Sequence, residues 1–276
     1  MKTFDVSKFS PPEIHRLLVS GIAPRPIALV ATVDGEGRVN LSPFSFFNVF
    51  GVNPAVLCFS PAYAGRSGDA KHTMLNLDET KECTVSIVTY EMVQQISLAS
   101  APFARGVDEF EKSGLTKRGS AMVAPPGVAE SPFIMEARLL QHVGFGGKPG
   151  SANMMICEIL TIHVAEEVMT PEGGIDPTQM DQVARLGGAY YTRAREGLFT
   201  LAQPTKAPAG VDALPEEIRL SSILTGSDLA MLAGVDQVPS PFVPDPETAA
   251  MRHLAARGYL EHDDIQGAWR ALLGSR

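Results

Sequence analysis

Residues 24–48 read Pro24-Arg-Pro-Ile-Ala-Leu-Val-Ala-Thr-Val-Asp-Gly-Glu-Gly-Arg-Val-Asn-Leu-Ser-Pro-Phe-Ser-Phe-Phe-Asn48. The run Pro26 to Val33 is compact and apolar. Asp34-Gly35-Glu36-Gly37 is rich in residues that tolerate a positive φ, and Arg38 to Phe47 resumes with alternating polar and apolar side chains. That is the pattern of a β-hairpin. Its second strand carries Pro43 between Ser42 and Ser45, and a proline inside a strand forfeits a ladder hydrogen bond. Two readings of the break stand side by side. It frees backbone N–H groups and leaves a low shelf for a flat heteroaromatic ring, or it marks an edge strand with a bulge.

Outward from the hairpin, Ala55 to Phe59 and Cys83 to Thr89 are short strand-like runs, and Phe133 to Val143 and Asn153 to Val168 are longer ones. The last two are separated by Gly144-Phe-Gly-Gly-Lys-Pro-Gly150. That segment lacks the following helix and the acidic residue of a dinucleotide-binding turn, so it reads as a hairpin loop. Helical spacing appears in residues 11–20, opened by Pro11-Pro12-Glu13 and stopped at Gly21, in Lys71 to Lys81, and in 91–100. Many short strands with few helices and no βα alternation predict a closed antiparallel barrel rather than a doubly wound sheet. From Pro204 the composition changes to prolines between helical pieces at 227–234, 246–257 and 263–273. This divides the chain into a domain of residues 1–204 and a helical extension of 205–276. Ala250, Met251, Leu254 and Leu260 fall near one face, which suits docking on the barrel or on a second subunit.

The 276 residues are 45% hydrophobic, enough to bury a large core, and 23 Lys+Arg against 31 Asp+Glu give a net charge of -8. That balance argues against an electrostatic grip on nucleic acid or anionic lipid. Neither a secretory signal in Met1 to Lys8 nor a spanning helix is expected. Cys58, Cys83 and Cys157 are odd in number and sit in apolar runs, which predicts buried inert thiols in the cytoplasm. The chain has no P-loop, H-E-x-x-H or C-x-x-C motif. His15, His142, His253 and His262 have no partner at metal-ligand spacing, so no metal site is expected.

A second polar cluster follows the hairpin: Ser60-Pro61, Arg66, Lys71-His72-Thr73 and Asn76, at the start of the helix over 71–81. Helix N-terminal N–H groups with Lys, Arg and Thr donors suit a phosphate, and equally suit a solvated cap. The cluster lies about 25 to 30 residues beyond the shelf, so a single mononucleotide can span both.

Taken together, Arg25 to Val30 with Thr32-Val-Asp-Gly, Asn40 to Asn48, Pro54 to Ser60, and Lys71-His-Thr73 with Asn76 resemble the flavin reductase-like family of FMN-binding split barrels. The resemblance covers about residues 10–204 and is most specific in Asn40 to Asn48. It implies a mainly β fold with peripheral helices, a six-stranded antiparallel Greek-key split β-barrel. It further implies a homodimer, FMN as cofactor with FAD as the alternative, and NADH or NADPH as reductant. Carried over by position, Thr32, Asn40, Ser42, Pro43, Phe44, Ser45 and Phe46 line the isoalloxazine. Ser60, Arg66, Lys71, His72, Thr73 and Asn76 hold the ribityl phosphate. The family usually has an acidic residue between the Lys and the Thr, where this chain has His72.

Glu158 to Val164 resembles the last barrel strand of the family and Arg185 to Thr192 its closing loop. His163, Arg185 and Tyr190 are therefore substrate-side candidates. A hydrogen-bonded structural histidine and a polar lid are the competing readings. Hydride chemistry belongs to the cofactor, so no side chain is assigned as catalytic. Three functions stay open: an NAD(P)H-dependent flavin reductase supplying a partner monooxygenase, a flavoprotein that keeps FMN and reduces another acceptor, and a flavin-binding module without turnover.

Overall fold

The computed structural model describes residues 1–65, 67–243 and 245–274. The chain divides into two compact units, Met1–Leu198 and Phe199–Arg276, a few residues before the change in composition at Pro204. The first unit is built on seven strands: β1 (Ala28–Val33), β2 (Val39–Phe44), β3 (Phe47–Val52), β4 (Ala55–Phe59), β5 (Glu82–Ile87), β6 (Phe133–Gly144) and β7 (Asn153–Val164). They pair antiparallel in the order β2-β1-β5-β6-β7-β4-β3.

The two end strands, β2 and β3, are consecutive in the chain and joined only by Ser45-Phe46. Three Cα steps of 3.8 Å separate Phe44 from Phe47 by at most about 11 Å. The sheet must therefore curl until its edges meet at one corner, although no ladder joins β2 to β3. The strand count is seven where six were expected. The run Arg38 to Phe47, read as one strand, ends at Phe44, and Phe47 opens a separate strand that pairs with β4. The run read as Asn153 to Val168 likewise ends at Val164 and is followed by one helical turn, Glu166–Val168.

Every residue of β1 is buried, because the strand is covered on both faces. Ala28 and Val30 join the core inside the curl with Phe44, Phe59, Met135 and Cys157. Leu29 and Ala31 join a second core with Leu41, Ile96 and Phe110. Helix α2 (His72–Thr80) packs on the first core through Met74 and Leu77. Helices α3 (Val93–Ala99) and α4 (Glu109–Ser113) close the second through Ile96 and Phe110. The β1–β2 turn is fixed by Asp34, whose Oδ1 accepts the N–H groups of Glu36 and Arg38 at 3.1 and 3.0 Å, and by Gly37 at φ +79°. Helix α1 (Pro11–Gly21) starts at Ser10, whose N–H donates to Glu13 Oε2 at 2.9 Å. A small sheet of Arg25–Pro26, Val183–Arg185 and Tyr191–Arg193 completes the unit.

Cys58, Cys83 and Cys157 are all free and buried. A hydrogen bond with Cys157 and burial push the Cys83 thiol up. Among the described residues no helix is long and apolar enough to cross a membrane.

The second unit has its own core, with Ile218, Leu232, Trp269 and Leu272 at its centre. Its main helices are Gly226–Ala233, Ala249–Leu260 and Ile265–Leu273. The Trp269 indole donates to the Leu232 carbonyl at 3.2 Å. Ser221 Oγ lies 2.8 Å from Nδ1 of the buried His253.

Candidate functional site

Strand β2 is a sheet edge, so one side of its backbone has no strand partner. Pro43 stands opposite Leu29 in regular register with no bulge, and edge position is what makes a proline tolerable there. A cleft of 500 Å³ runs along the strand, lined by Ser42, Pro43, Phe44, Ser45 and Phe46, by Ser60 and Tyr63 after β4, and by Lys71. A smaller hollow of 210 Å³ adjoins it on the α2 side, lined by Asn40, His72, Thr73, Asp69 and Glu109. The two share Ser42, Ala64, Lys71 and Ser100.

The hairpin and the helix are tied together beneath these hollows. Asn40 Nδ2 donates to Thr73 Oγ1 at 3.0 Å, with both side chains buried. Asn76 Nδ2 donates to Thr32 Oγ1 at 3.1 Å, one strand further in. Glu109 Oε2 accepts the outward N–H of Leu41 at 2.9 Å, which satisfies the edge of β2. Burial pushes the Glu109 carboxyl up. Ser60 Oγ accepts the Asn153 N–H at 3.2 Å and fastens the end of β4 to β7.

The sequence candidates separate into three groups. Asn40, Ser42, Pro43, Phe44, Ser45, Phe46, Ser60, Lys71, His72, Thr73 and Arg185 all line the two hollows. Phe44 is also a core residue, 5.5 Å from the Phe59 ring. Thr32 and Asn76 line neither hollow; they face each other inside the fold, where they hold α2 on the sheet. Arg66 lies outside the described residues.

The substrate-side candidates divide in the same way. His163 is not brought to the cleft. Its Nε2 lies 2.6 Å from Glu136 Oε1, and Glu136, fully buried, also accepts the N–H groups of Ala121 and Met122. Tyr190 is 75% exposed and sits in a turn where its N–H donates to the Gly187 carbonyl. The next residue, Tyr191, is the one that reaches Arg185: the guanidinium lies 4.7 Å from its ring centre and donates to its hydroxyl at 2.6 Å. Tyr191 opens the strand that pairs with Val183–Arg185 and stands directly across from Arg185, whereas Tyr190 belongs to the turn before it.

Sequence reasoning missed His15, Arg16 and Arg25, all of which line the cleft. Arg25 stood in the quoted stretch, but its place depends on Val183–Arg185, far away in the chain. His15 braces the exposed Phe46 edge-on, with ring centres 6.2 Å apart. Arg16, Arg25, Lys71 and Arg185 make the main cleft cationic, and among the described residues no carboxylate lines it, although the chain as a whole carries -8. Burial, then Arg105 and Lys71, push the His72 ring below its ordinary value. A volume of 500 Å³ falls in the range of about 300–1,000 Å³ usual for small-molecule sites. Cations, hydroxyls and buried guanidinium N–H groups without partners on Arg25 and Arg185 suit anionic, hydrogen-bonding ligands.

This architecture and these motifs have relatives. An uncharacterized protein of Halalkalibacterium halodurans is 35% identical over 197 residues, covering 70% of this chain and 92% of that relative. Nitrilotriacetate monooxygenase component B from Bacillus cereus superposes with a TM-score of 0.67 at 28% identity, covering 74% of this chain and 98% of that one. A protein with a split barrel domain from Shewanella frigidimarina superposes with a TM-score of 0.62 at 24% identity, covering 75% of this chain and 100% of that one. The edge-to-edge corner at Ser45-Phe46 is thus part of a split-barrel fold. The flavin reductase like domain matches residues 20–192, which hold the hairpin, α2 and the Arg185–Tyr191 pair, and the chain belongs to that family.

Proposed function

We propose that the cleft holds FMN and that the protein moves a hydride from NADH or NADPH to that flavin. One observation carries this reading. Lys71 and the hydroxyls of Ser42, Ser45 and Ser60 line the 500 Å³ cleft beside the edge strand that carries Pro43, and no carboxylate is among its described lining residues.

When bound, FMN supplies a ring that accepts a hydride from a nicotinamide and passes the electrons onward. The chain's own residues bind and orient. Ser42 and Ser45 would donate hydroxyl hydrogen bonds to the ring, against the wall formed by Pro43 and Phe46. Lys71 and the first N–H groups of α2 would hold the phosphate, with Ser60 at its side. No side-chain acid or nucleophile is required, and the residues work by alignment and charge.

The homodimer belongs to the same proposal. β3 is the other sheet edge, and it exposes Val49, Phe50 and Val52, an apolar row that a second copy would cover. The relative named as a monooxygenase component, at 28% identity, supports a separate oxygenase as consumer of the reduced flavin. Three free buried thiols suit a reducing cytoplasm. The flavin domain is proposed to lie within residues 1–204, with 205–276 as an extension.

The test is to mix purified protein with NADH or NADPH, with and without FMN, and follow the nicotinamide absorbance. The reading predicts FMN-dependent oxidation. No oxidation above background would leave only a binding module. A yellow colour retained through gel filtration would favour a flavoprotein that keeps its FMN and reduces another acceptor.

A further inference from the structure

Arg25 and Arg185 are direct cross-strand partners in the small sheet. Like charges placed opposite one another are unfavourable, and burial makes them more so. Arg25 is only 7% exposed. Its guanidinium donates to the carbonyls of Val19, Ile22 and Leu186, which position it without neutralising it. Arg185 donates to the Tyr191 hydroxyl and the Gly188 carbonyl, again neutral acceptors. The Nε–H of each arginine is buried with no hydrogen-bond partner. Among the described residues neither guanidinium pairs with a carboxylate, and none lines the cleft that both arginines border. Burial, then the neighbouring Arg185 charge, depress the Arg25 guanidinium below its ordinary value.

A paired, rigidly held and uncompensated double positive charge facing a cleft is built for an anion. Lys71 lines the same cleft as both arginines but also the hollow on the α2 side, which neither arginine borders. Asn40 and Ser42 border the hollow that contains Lys71 and Thr73, whereas Pro43 and Ser45 border a gap lined by Ser97, Arg185 and Tyr191. Beyond Tyr191 and Ser97 lies a further hollow of 440 Å³, so a ligand anchored at Arg185 has room to extend.

We infer that Arg25 and Arg185 form a second anion subsite, distinct from the Lys71 end, which takes the diphosphate of the nicotinamide dinucleotide. The inference rests on the reading that the cleft is the flavin and nicotinamide site. Arg25 is the fixed member, locked by three backbone carbonyls. Arg185, half-buried and stacked on Tyr191, is the member a ligand meets from the cleft. The assignment makes Arg185 a binding residue for the reductant and not for the flavin.

The test is a calorimetric titration of ADP-ribose, which carries the diphosphate without the nicotinamide, into the protein with and without FMN. It is run on wild type, Arg185→Gln and Arg185→Lys, with FMN affinity measured on each by fluorescence quenching. The expected result is an ADP-ribose Kd raised about tenfold or more in Arg185→Gln, as for loss of a charge-assisted hydrogen bond, and raised less in Arg185→Lys. FMN affinity should change by less than about threefold in both variants. Equal ADP-ribose binding by all three proteins, or none by wild type, overturns the subsite. A tenfold loss of FMN affinity in Arg185→Gln also overturns it, because the pair would then serve the flavin phosphate. Failure of the underlying flavin reading has its own signature, an absence of FMN quenching in wild type. Thermal unfolding of each variant separates lost binding from lost fold.

Discussion

The Asn40 side-chain amide donates to Thr73 Oγ1 at 3.0 Å, and that bond joins the edge strand of the cleft to the first turn of the helix beside it. The two segments arrive from different parts of the chain, so the cleft has its shape only while they are held in register. Asn40→Leu keeps the approximate volume but leaves the Thr73 hydroxyl without its donor. Loss of one buried hydrogen bond costs about 1–3 kcal/mol. Thermal denaturation should show a loss of that size, with FMN affinity reduced about tenfold. Unchanged FMN affinity in a folded variant would detach this bond from the site.

His163 works on the fold and not on the cleft. Burial alone raises the Glu136 carboxyl, but the Ala121 N–H, the His163 ring and the Met122 N–H more than offset it and hold it below its ordinary value. A carboxyl whose folded-state value is depressed contributes stability above its unfolded value, and that stability is lost as pH falls through the depressed one. His163→Ala removes part of the depression. It should lower the unfolding temperature and move acid unfolding to higher pH, while turnover at saturating FMN stays within about twofold of wild type. A loss of turnover beyond the loss of folded protein would return His163 to the site.

The second unit loses stability in the same direction, through a buried histidine. Burial pushes His253 below its ordinary 6.5; Glu217 opposes the shift and Arg252 adds to it. The unfolded chain takes up this proton near pH 6.5 and the folded unit does not, so stability falls as pH drops below 6.5 toward the depressed value. Trp269 is the single tryptophan and lies in the core of this unit, so its fluorescence follows the transition. Denaturant unfolding at pH 7.5 and 5.5 should show the loss, and His253→Gln should flatten it. A wild-type curve independent of pH over this range would refute the assignment.

Local patterns were readable where local chemistry decides. Pro11-Pro12 opens α1, Asp34 to Gly37 turns the hairpin, and the tail helices fall within a few residues of their expected places. The Phe47–Val52 strand was merged with its predecessor because Ser45-Phe46 carries none of the Gly, Asn or Asp that announces a turn; the chain changes direction there by tertiary packing. Most of the cleft wall was legible, since Asn40 to Phe46 and Lys71 to Thr73 are contiguous runs. Thr32 and Asn76 were misplaced because a polar side chain that faces a cavity and one that satisfies another inside the fold look alike in sequence. Arg25 and Arg185 were legible as residues but not as a pair, since only the register of a sheet spanning 160 positions makes them neighbours.

Lys71 should separate binding from chemistry. As the cation shared by both hollows it would anchor the phosphate, with no part in hydride transfer. Lys71→Ala should raise the FMN concentration needed for half-maximal rate about tenfold, the effect of one charge-assisted bond. It should leave the rate at saturating FMN within about twofold. An equal fall in both quantities would count against the phosphate role.

The most direct measurement is an FMN titration of the apoprotein followed by flavin fluorescence. The predicted result is saturable quenching at micromolar concentration, with one FMN per chain and weaker binding as salt rises, because the cleft is cationic. Flavin emission that stays undiminished as protein is added would contradict the account at its root.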